Sequence, residues 1–111
     1  MEKVHEKECA YRNGDSGVKY LMRGPTIDWG LLRLKPGEKM GAHGHREVEE
    51  TFFFLSGSPK IIIDDVPHQV EEGAAYRLSP GEKHDILNET GSVVDVLFMK
   101  IPYLPDDKIT D

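Results

Sequence analysis

The stretch GEKMGAHGHREVEETFFFLSG, residues 37–57, decides the fold and points to the chemistry of this chain. Two histidines, His43 and His45, stand two positions apart within it. In an extended strand such residues project from one face, with Cα atoms roughly 6 to 7 Å apart. One metal ion with bonds of about 2 Å can bridge that span. The stretch therefore predicts a metal site on a strand.

A carboxylate follows the histidine pair where the chain resumes as a strand, and either Glu49 or Glu50 can supply it. Glu50 shares its strand face with Phe52 and Phe54, the apolar residues expected to line an interior. Glu49 has the opposite parity. Parity therefore favours Glu50 as the oxygen ligand.

A further imidazole, His84, lies beyond Pro80-Gly81. A buried histidine of this kind is also common as a hydrogen-bonded core residue, so its position alone does not make it a ligand. Together with His43, His45 and Glu50 it would give three imidazoles and one carboxylate. Such a set leaves two of six octahedral positions for water, dioxygen or a chelating substrate, and it is close to the facial triad of non-haem iron with one added imidazole.

Short strands separated by turns account for the rest of the pattern. The 11 glycines and 7 prolines punctuate the chain every eight to twelve residues, which is typical of an all-β sandwich or barrel. Asp64-Asp65 is predicted to be the turn of a hairpin. The predicted strands are 27–34, 51–55, 60–64, 66–70, 74–79, 83–88 and 92–99.

Two stretches of the sequence, one around His43 and His45 and one around His84, resemble the two sequence motifs of the cupin family. The first motif is matched in every fixed position by Gly37, five residues, His43-Gly44-His45, four residues, Glu50, six residues and Gly57. A later stretch is similar to the second motif, with Gly73, then Gly81, two residues, His84, three residues and Asn88. Ser79 stands where the family usually has proline, but the spacing to His84 is unchanged.

The resemblance implies an all-β fold, a cupin-type jelly-roll β-barrel with a metal inside. It implies four ligands, His43, His45, Glu50 and His84, and a divalent ion, since iron, manganese, nickel and zinc all occur in cupins. Small chains of this family are commonly dimers. We expect an N-terminal arm over 1–17, the barrel over 18–101 and a loosely held C-terminal tail over 102–111.

Several strands are apolar on both faces, as in Ile61-Ile62-Ile63, whereas a half-solvated sheet alternates apolar with polar residues. A second copy of the chain is therefore expected to cover one face. Trp29 and Leu31 are candidate contacts in this homodimer, although Trp29 can equally pack under the N-terminal arm.

Three aromatic residues are candidates for the substrate pocket. Phe52 and Phe54 are predicted to form apolar walls, and the Tyr76 hydroxyl either reaches a bound substrate or makes a buried hydrogen bond in the core. Arg33 and Arg77 have the outward parity, so no internal arginine clamp is expected. A second internal carboxylate is not expected either.

Composition excludes several classes of function. The chain has 111 residues, enough for one domain, and 14 basic against 20 acidic residues give a formal charge of -6. An acidic surface repels phosphate backbones, so no nucleic-acid partner is expected. Cys9, the single cysteine, cannot form an internal disulfide, which favours the reducing cytoplasm. No apolar run is long enough for a membrane span.

The functional expectation is a metal-dependent enzyme of oxygenase, isomerase or lyase type, acting on a small oxygen-rich molecule that chelates the metal. The alternative is a module that binds or senses a small ligand without transforming it. It is favoured by an apparent scarcity of polar groups inside the barrel beyond the four ligands. In a third, weaker alternative the metal chiefly stabilises the fold.

Overall fold

Short strands form nearly all of the regular structure, which a computed structural model describes for residues 1–110. Within that range the only helical element is one 3₁₀ turn, Glu6–Glu8. The all-β prediction is confirmed. The strands are β1 Gly17–Arg23, β2 Asp28–Leu34, β3 Gly44–His45, β4 Glu49–Ser56, β5 Lys60–Ile63, β6 Val66–Gln69, β7 Ala75–Leu78, β8 His84–Leu87, β9 Val94–Ile101 and β10 Lys108–Ile109.

The strands form two antiparallel layers around one core. The larger layer has five strands in the order β1-β2-β9-β4-β7. The smaller layer consists of β6-β5-β8 and of β10-β3, and an isolated bridge between His43 and His84 joins these two pieces. Apolar side chains from both layers pack in a single cluster between them. Two antiparallel layers around one core form a barrel of jelly-roll type.

All seven predicted strands are present, with ends that differ by a few residues. The hairpin prediction is confirmed, because β5 pairs with β6 and both turn residues, Asp64 and Asp65, have positive φ. β1 and β10 were not predicted, and β3 was expected only as the extended segment that carries His43 and His45. The two latter strands have only two residues each, which is too short to produce a periodic pattern.

The inner face of the five-stranded layer is arranged in transverse rows. Direct cross-strand pairing sets these rows, because residues opposite each other on neighbouring strands point to the same side. The apolar row contains Val18, Leu32, Val96 and Phe54. The middle row contains Tyr20, Gly30, Phe98 and Phe52. The charged row contains Arg23, Asp28, Lys100 and Glu50.

A β-bulge brings Arg23 into the charged row. The β1–β2 register shifts between Tyr20 and Met22, so Leu21 is the extra residue. Strict alternation would place residues 20 and 23 on opposite faces. With one residue bulged, both face inward, which explains why the sequence pattern did not place Arg23 inside.

Gly30 permits close packing in the middle row. A Cβ atom at this position would lie 2.1 Å from the Lys19 carbonyl oxygen, closer than any non-bonded contact. Without a side chain at Gly30, the rings of Tyr20 and Phe98 meet across β2, edge to face, with centroids 5.4 Å apart.

The C-terminal segment is bound to the barrel, contrary to the expectation of a loose tail. β10 pairs with β3, so that Lys108 lies opposite His45. The Asp107 carboxylate accepts hydrogen bonds from the backbone N–H groups of Glu47 and Val48 at 2.8 and 2.9 Å. The described part of the tail, 102–110, therefore forms part of the barrel rim.

In residues 1–110 no helix is long and apolar enough to cross a membrane.

Candidate metal centre

Three separate segments bring four potential metal ligands together. His43 and His45 belong to the short strand region around β3, Glu50 lies on β4 and His84 begins β8. Reciprocal backbone hydrogen bonds of 2.9 and 2.7 Å join His43 and His84, and Gly81 N–H donates to the His45 carbonyl at 2.7 Å. The backbone itself therefore holds these segments in register, and this register directs the four side chains toward one another.

The four side chains surround one carboxylate oxygen. Glu50 Oε1 lies 3.0 Å from the Nε2 atoms of both His45 and His84, and 3.6 Å from that of His43. The four potential ligand atoms all lie within 4.8 Å of one another. All four residues are buried, each less than a tenth exposed.

Hydrogen bonds to the backbone orient two of the imidazoles. His43 Nδ1 lies 2.9 Å from the Gly41 carbonyl oxygen, and His84 Nδ1 lies 3.1 Å from that of Glu82. A carbonyl accepts only, so Nδ1 carries a proton in each ring, and Nε2 is the atom that faces Glu50 and that would bind a metal once it is unprotonated. Asp85 in turn fixes Gly41, whose N–H donates to the carboxylate at 2.8 Å.

Glu50 is ionised within this cluster. Burial alone would raise its pKa, but the hydrogen bonds from His45 and His84, together with the nearby His43 imidazole, outweigh burial and hold the pKa well below its usual range. Glu49, by contrast, points outward and lies 3.7 Å from Arg77. Glu50 therefore faces inward, as its shared strand parity with Phe52 predicts.

The donor set fits one divalent cation. Ligand atoms bound about 2.1 Å from an ion lie about 3 Å apart when adjacent and about 4 Å apart when opposite. The separations from Glu50 match the adjacent spacing, and a contraction well below 1 Å would bring the widest pairs into range. Imidazole and carboxylate ligands suit iron, manganese, nickel and zinc alike, so these residues do not select one of them.

A cavity of about 270 Å³ opens onto the cluster, and His43, His45 and Glu50 form part of its wall. Phe52 also lines the cavity, and its ring packs edge-on against His84 with centroids 5.5 Å apart.

The other two predicted pocket residues lie away from this cavity. Phe54 is fully buried in the apolar row, two residues further along β4, and Tyr76 packs edge-on against it at 5.8 Å. Strand parity identified the inner face correctly but gave no information on depth along the strand.

Among the cavity residues that were not predicted, four lie together. Tyr20, Arg23, Asp28 and Lys100 all line the cavity. The expectation of no second internal carboxylate is therefore wrong, because Asp28 is buried, whereas Arg23 is exposed at the cavity wall and bound to Asp28. Asp28 shares parity with the buried Leu32 and Lys100 shares parity with Phe98, so the sequence carried a signal for both, whereas the bulge concealed Arg23.

These residues form a hydrogen-bonded network. Arg23 Nε and Nη2 donate to the two oxygens of Asp28 at 3.1 and 3.0 Å, and the guanidinium carbon lies 3.8 Å from the centroid of the Tyr20 ring. Lys100 Nζ donates to the Tyr20 hydroxyl at 2.9 Å and lies 3.7 Å from Asp28 Oδ2. The cavity thus holds oriented charges as well as the candidate ligands.

Comparison with known proteins agrees with this architecture. The model of the cupin domain matches residues 30–100, so the chain belongs to the cupin family. Among curated proteins, SchB of Streptomyces halstedii is 31% identical over 64 residues, 58% of this chain. That match spans 46% of SchB, a little under half its length.

Solved structures show the same fold. A Klebsiella pneumoniae protein with a double-stranded β-helix domain superposes with a TM-score of 0.85 at 14% identity, covering 100% of this chain and 98% of that one. The polyketide cyclase RemF from Streptomyces resistomycificus gives 0.79 at 17% identity, covering 99% and 84%. At these identities the likeness concerns the fold.

Proposed function

We propose that this cupin binds one divalent metal ion through His43, His45, Glu50 and His84 and acts as an enzyme on a small, oxygen-rich molecule that chelates the ion. The observation that carries the proposal is the convergence of four buried donors at the wall of a cavity that also holds oriented charges. When bound, the ion would supply Lewis-acid or oxygen-activating chemistry. Oxygenase, isomerase and lyase reactions are all compatible with it.

The chain's own residues have distinct tasks in this proposal. The Phe52 and Phe98 rings exclude water from the inner side of the cavity, where electrostatic interactions are then stronger. The Tyr20 hydroxyl accepts a hydrogen bond from Lys100, which leaves its own proton free to point toward a bound molecule. Asp28 and Arg23 hold each other and keep this pair in place.

The same network favours an enzyme over a binding module. The binding module was favoured by a scarcity of internal polar groups, and the cavity instead holds Lys100, Tyr20 and Asp28 beside the candidate ligands. Catalysis needs such donors aimed at developing charge. The reaction of the polyketide cyclase RemF is not transferred, because the likeness to it concerns the fold.

Reconstitution and screening test this function. The metal-free protein is loaded in turn with iron(II), manganese, nickel and zinc, and each form is incubated with small diols, keto acids and hydroxy acids. We expect turnover with at least one metal, abolished in Glu50→Gln and retained in the control His68→Ala, which changes an exposed histidine. Tight binding without product would favour the binding module, and absence of turnover with every metal would remove the enzyme function.

We also propose that the chain works in the cytoplasm as a homodimer, without a nucleic-acid partner, through the outer face of the five-stranded layer. Four large apolar side chains on the central strands β4 and β9 are 38–43% exposed: Phe53, Leu55, Met99 and Ile101. Half-buried Trp29 adjoins them, opposite Met99. One such contiguous face can contact its own copy about a two-fold axis.

Sedimentation velocity tests the dimer. The wild-type chain is expected to sediment as a dimer, and Phe53→Glu as a monomer that still binds metal, because Phe53 faces away from the cavity. A monomeric wild type at micromolar concentration would contradict the proposal.

A further inference from the structure

The charged row is unusual because it continues directly into the candidate metal centre. Arg23, Asp28, Lys100 and Glu50 are successive cross-strand partners on four neighbouring strands, so their charges alternate across the sheet. Lys100 is therefore the immediate neighbour of a candidate ligand. The Cβ atoms of such directly opposed residues lie about 4.5–5.5 Å apart.

The Lys100 ammonium is accessible and incompletely paired. Its side chain is 17% exposed and faces the cavity. It donates to a neutral hydroxyl, that of Tyr20, and its distance of 3.7 Å from Asp28 exceeds that of a hydrogen bond. Asp28 already binds Arg23 through both oxygens. An ammonium group has three donors, so Lys100 retains capacity for a ligand.

Charge balance indicates the sign of that ligand. The two cations and two anions of the charged row cancel one another, so a divalent ion bound at Glu50 leaves the site with two excess positive charges. Arg12 and Lys108, both exposed, add positive charge at the rim of the cavity. This local excess stands against a net charge of -6 for the whole chain.

We propose that the ligand of this site is a small carboxylic acid with a neighbouring hydroxyl or carbonyl oxygen, which chelates the metal while its carboxylate accepts a hydrogen bond from Lys100. This inference rests on the proposed metal site and selects acids over neutral diols. The size of the acid follows from the cavity of about 270 Å³, which is at the low end for ligand sites. Such a volume favours a molecule of a few carbon atoms.

The test compares an acid with its neutral amide. Lactate and lactamide have the same size and the same chelating hydroxyl, and both carry a methyl group whose proton signal a nearby Mn²⁺ broadens. Dissociation constants for both probes are measured from this broadening with the manganese-loaded wild type and with Lys100→Met, which keeps the aliphatic stem and removes the charge. Metal content is measured in parallel.

We expect the preference for lactate over lactamide to fall at least about tenfold in Lys100→Met, because a hydrogen bond to a charged group is lost. Lys100→Arg keeps the charge and should retain most of the preference. Lys60→Met removes a lysine charge outside the cavity and should leave the ratio unchanged. If Lys100→Met fails to fold, Lys100→Gln provides the same comparison.

Failure of this inference can be distinguished from failure of the metal site. If manganese is held stoichiometrically but the ratio is the same in the wild type and in the neutral variant, Lys100 does not select acids and the metal site stands. No measurable binding of lactate to the loaded wild type would also overturn the inference, as would loss of metal from Lys100→Met. If the wild type holds no stoichiometric metal, the proposed metal site itself falls.

Discussion

The two ends of the five-stranded layer are built from the same four strands but differ in chemistry. At one end the apolar row contains Val18, Leu32, Val96 and Phe54, and at the other end the charged row contains Arg23, Asp28, Lys100 and Glu50. The two rows are four or five positions apart along each strand. The comparison shows that residues of one strand can differ in role. Their position along the strand decides whether they stabilise the core or line the cavity beside the candidate metal ligands.

Removing the largest side chain of the apolar row should have the largest effect. Phe54 has no exposed surface, so Phe54→Ala is expected to lower the free energy of unfolding by about 3–5 kcal/mol, measured by urea denaturation. Phe53→Ala is the matched control, because the neighbouring ring is 39% exposed and should cost much less. Equal losses in the two variants would contradict the assignment of the apolar row as the stabilising end.

The converse change removes an imidazole at the other end. His84→Ala deletes one of four candidate ligands, and even supporting residues around a metal change its affinity 10- to 100-fold. Metal affinity should therefore fall more than about 100-fold, measured by competition with a chromogenic chelator. The exposed His68 provides the control, and His68→Ala should bind metal as the wild type does. Unchanged affinity in His84→Ala would show that this histidine belongs to the core.

The middle row, which separates the two ends, is sensitive to added volume. In Gly30→Ala the new methyl group would clash with the Lys19 carbonyl, so strands β1 and β2 must separate. We expect a loss of about 1–3 kcal/mol in unfolding free energy. Gly91→Ala is the control, since nothing lies within 4 Å of that position. A melting temperature equal to that of the wild type in Gly30→Ala would mean that the two strands are not this close.

The smallest effect is expected at the rim, where Asp107 binds the tail. Burial opposes its ionisation, but the hydrogen bonds from the backbone of Glu47, Val48 and Arg46 together outweigh burial and lower its pKa below the usual 3.8. A lowered folded pKa means that this contribution is present above about pH 3.8 and is lost as the pH falls through the folded value.

Amide exchange measures that loss. The amides of Glu47 and Val48 should exchange faster in Asp107→Asn than in the wild type at pH 6, while Asp106→Asn, the adjacent exposed carboxylate, should have no effect. Exchange rates that do not differ between the two variants would show that Asp107 does not hold the tail.

Sequence reasoning predicted the fold and the convergence of four side chains, because both depend on local spacing. The pattern of His43, His45 and Glu50 is fixed within one short stretch of sequence, and His84 follows from a second motif at constant spacing. It missed what depends on irregular or distant contacts. β1 was not predicted, and its bulge would in any case have reversed the parity of Arg23. The pairing of 108–109 with β3 left no periodic signal.

Depth within the barrel was the other failure. Phe52 and Phe54 share one face and differ only in the row to which they belong, so parity assigned both to the pocket although only Phe52 lines the cavity. Conversely, Asp28 and Lys100 had inward parity but received no role, because charged residues are rarely buried unless they are paired. Their partners became visible only through the register of four strands.

Anomalous diffraction from crystals of the metal-loaded protein, collected at the absorption edge of the loaded metal, tests the central claim most directly. The account predicts one full-occupancy peak per chain, about 2.1 Å from Glu50 Oε1 and from the Nε2 atoms of His43, His45 and His84. A peak elsewhere, or no peak at this position in a protein loaded with excess metal, would contradict it.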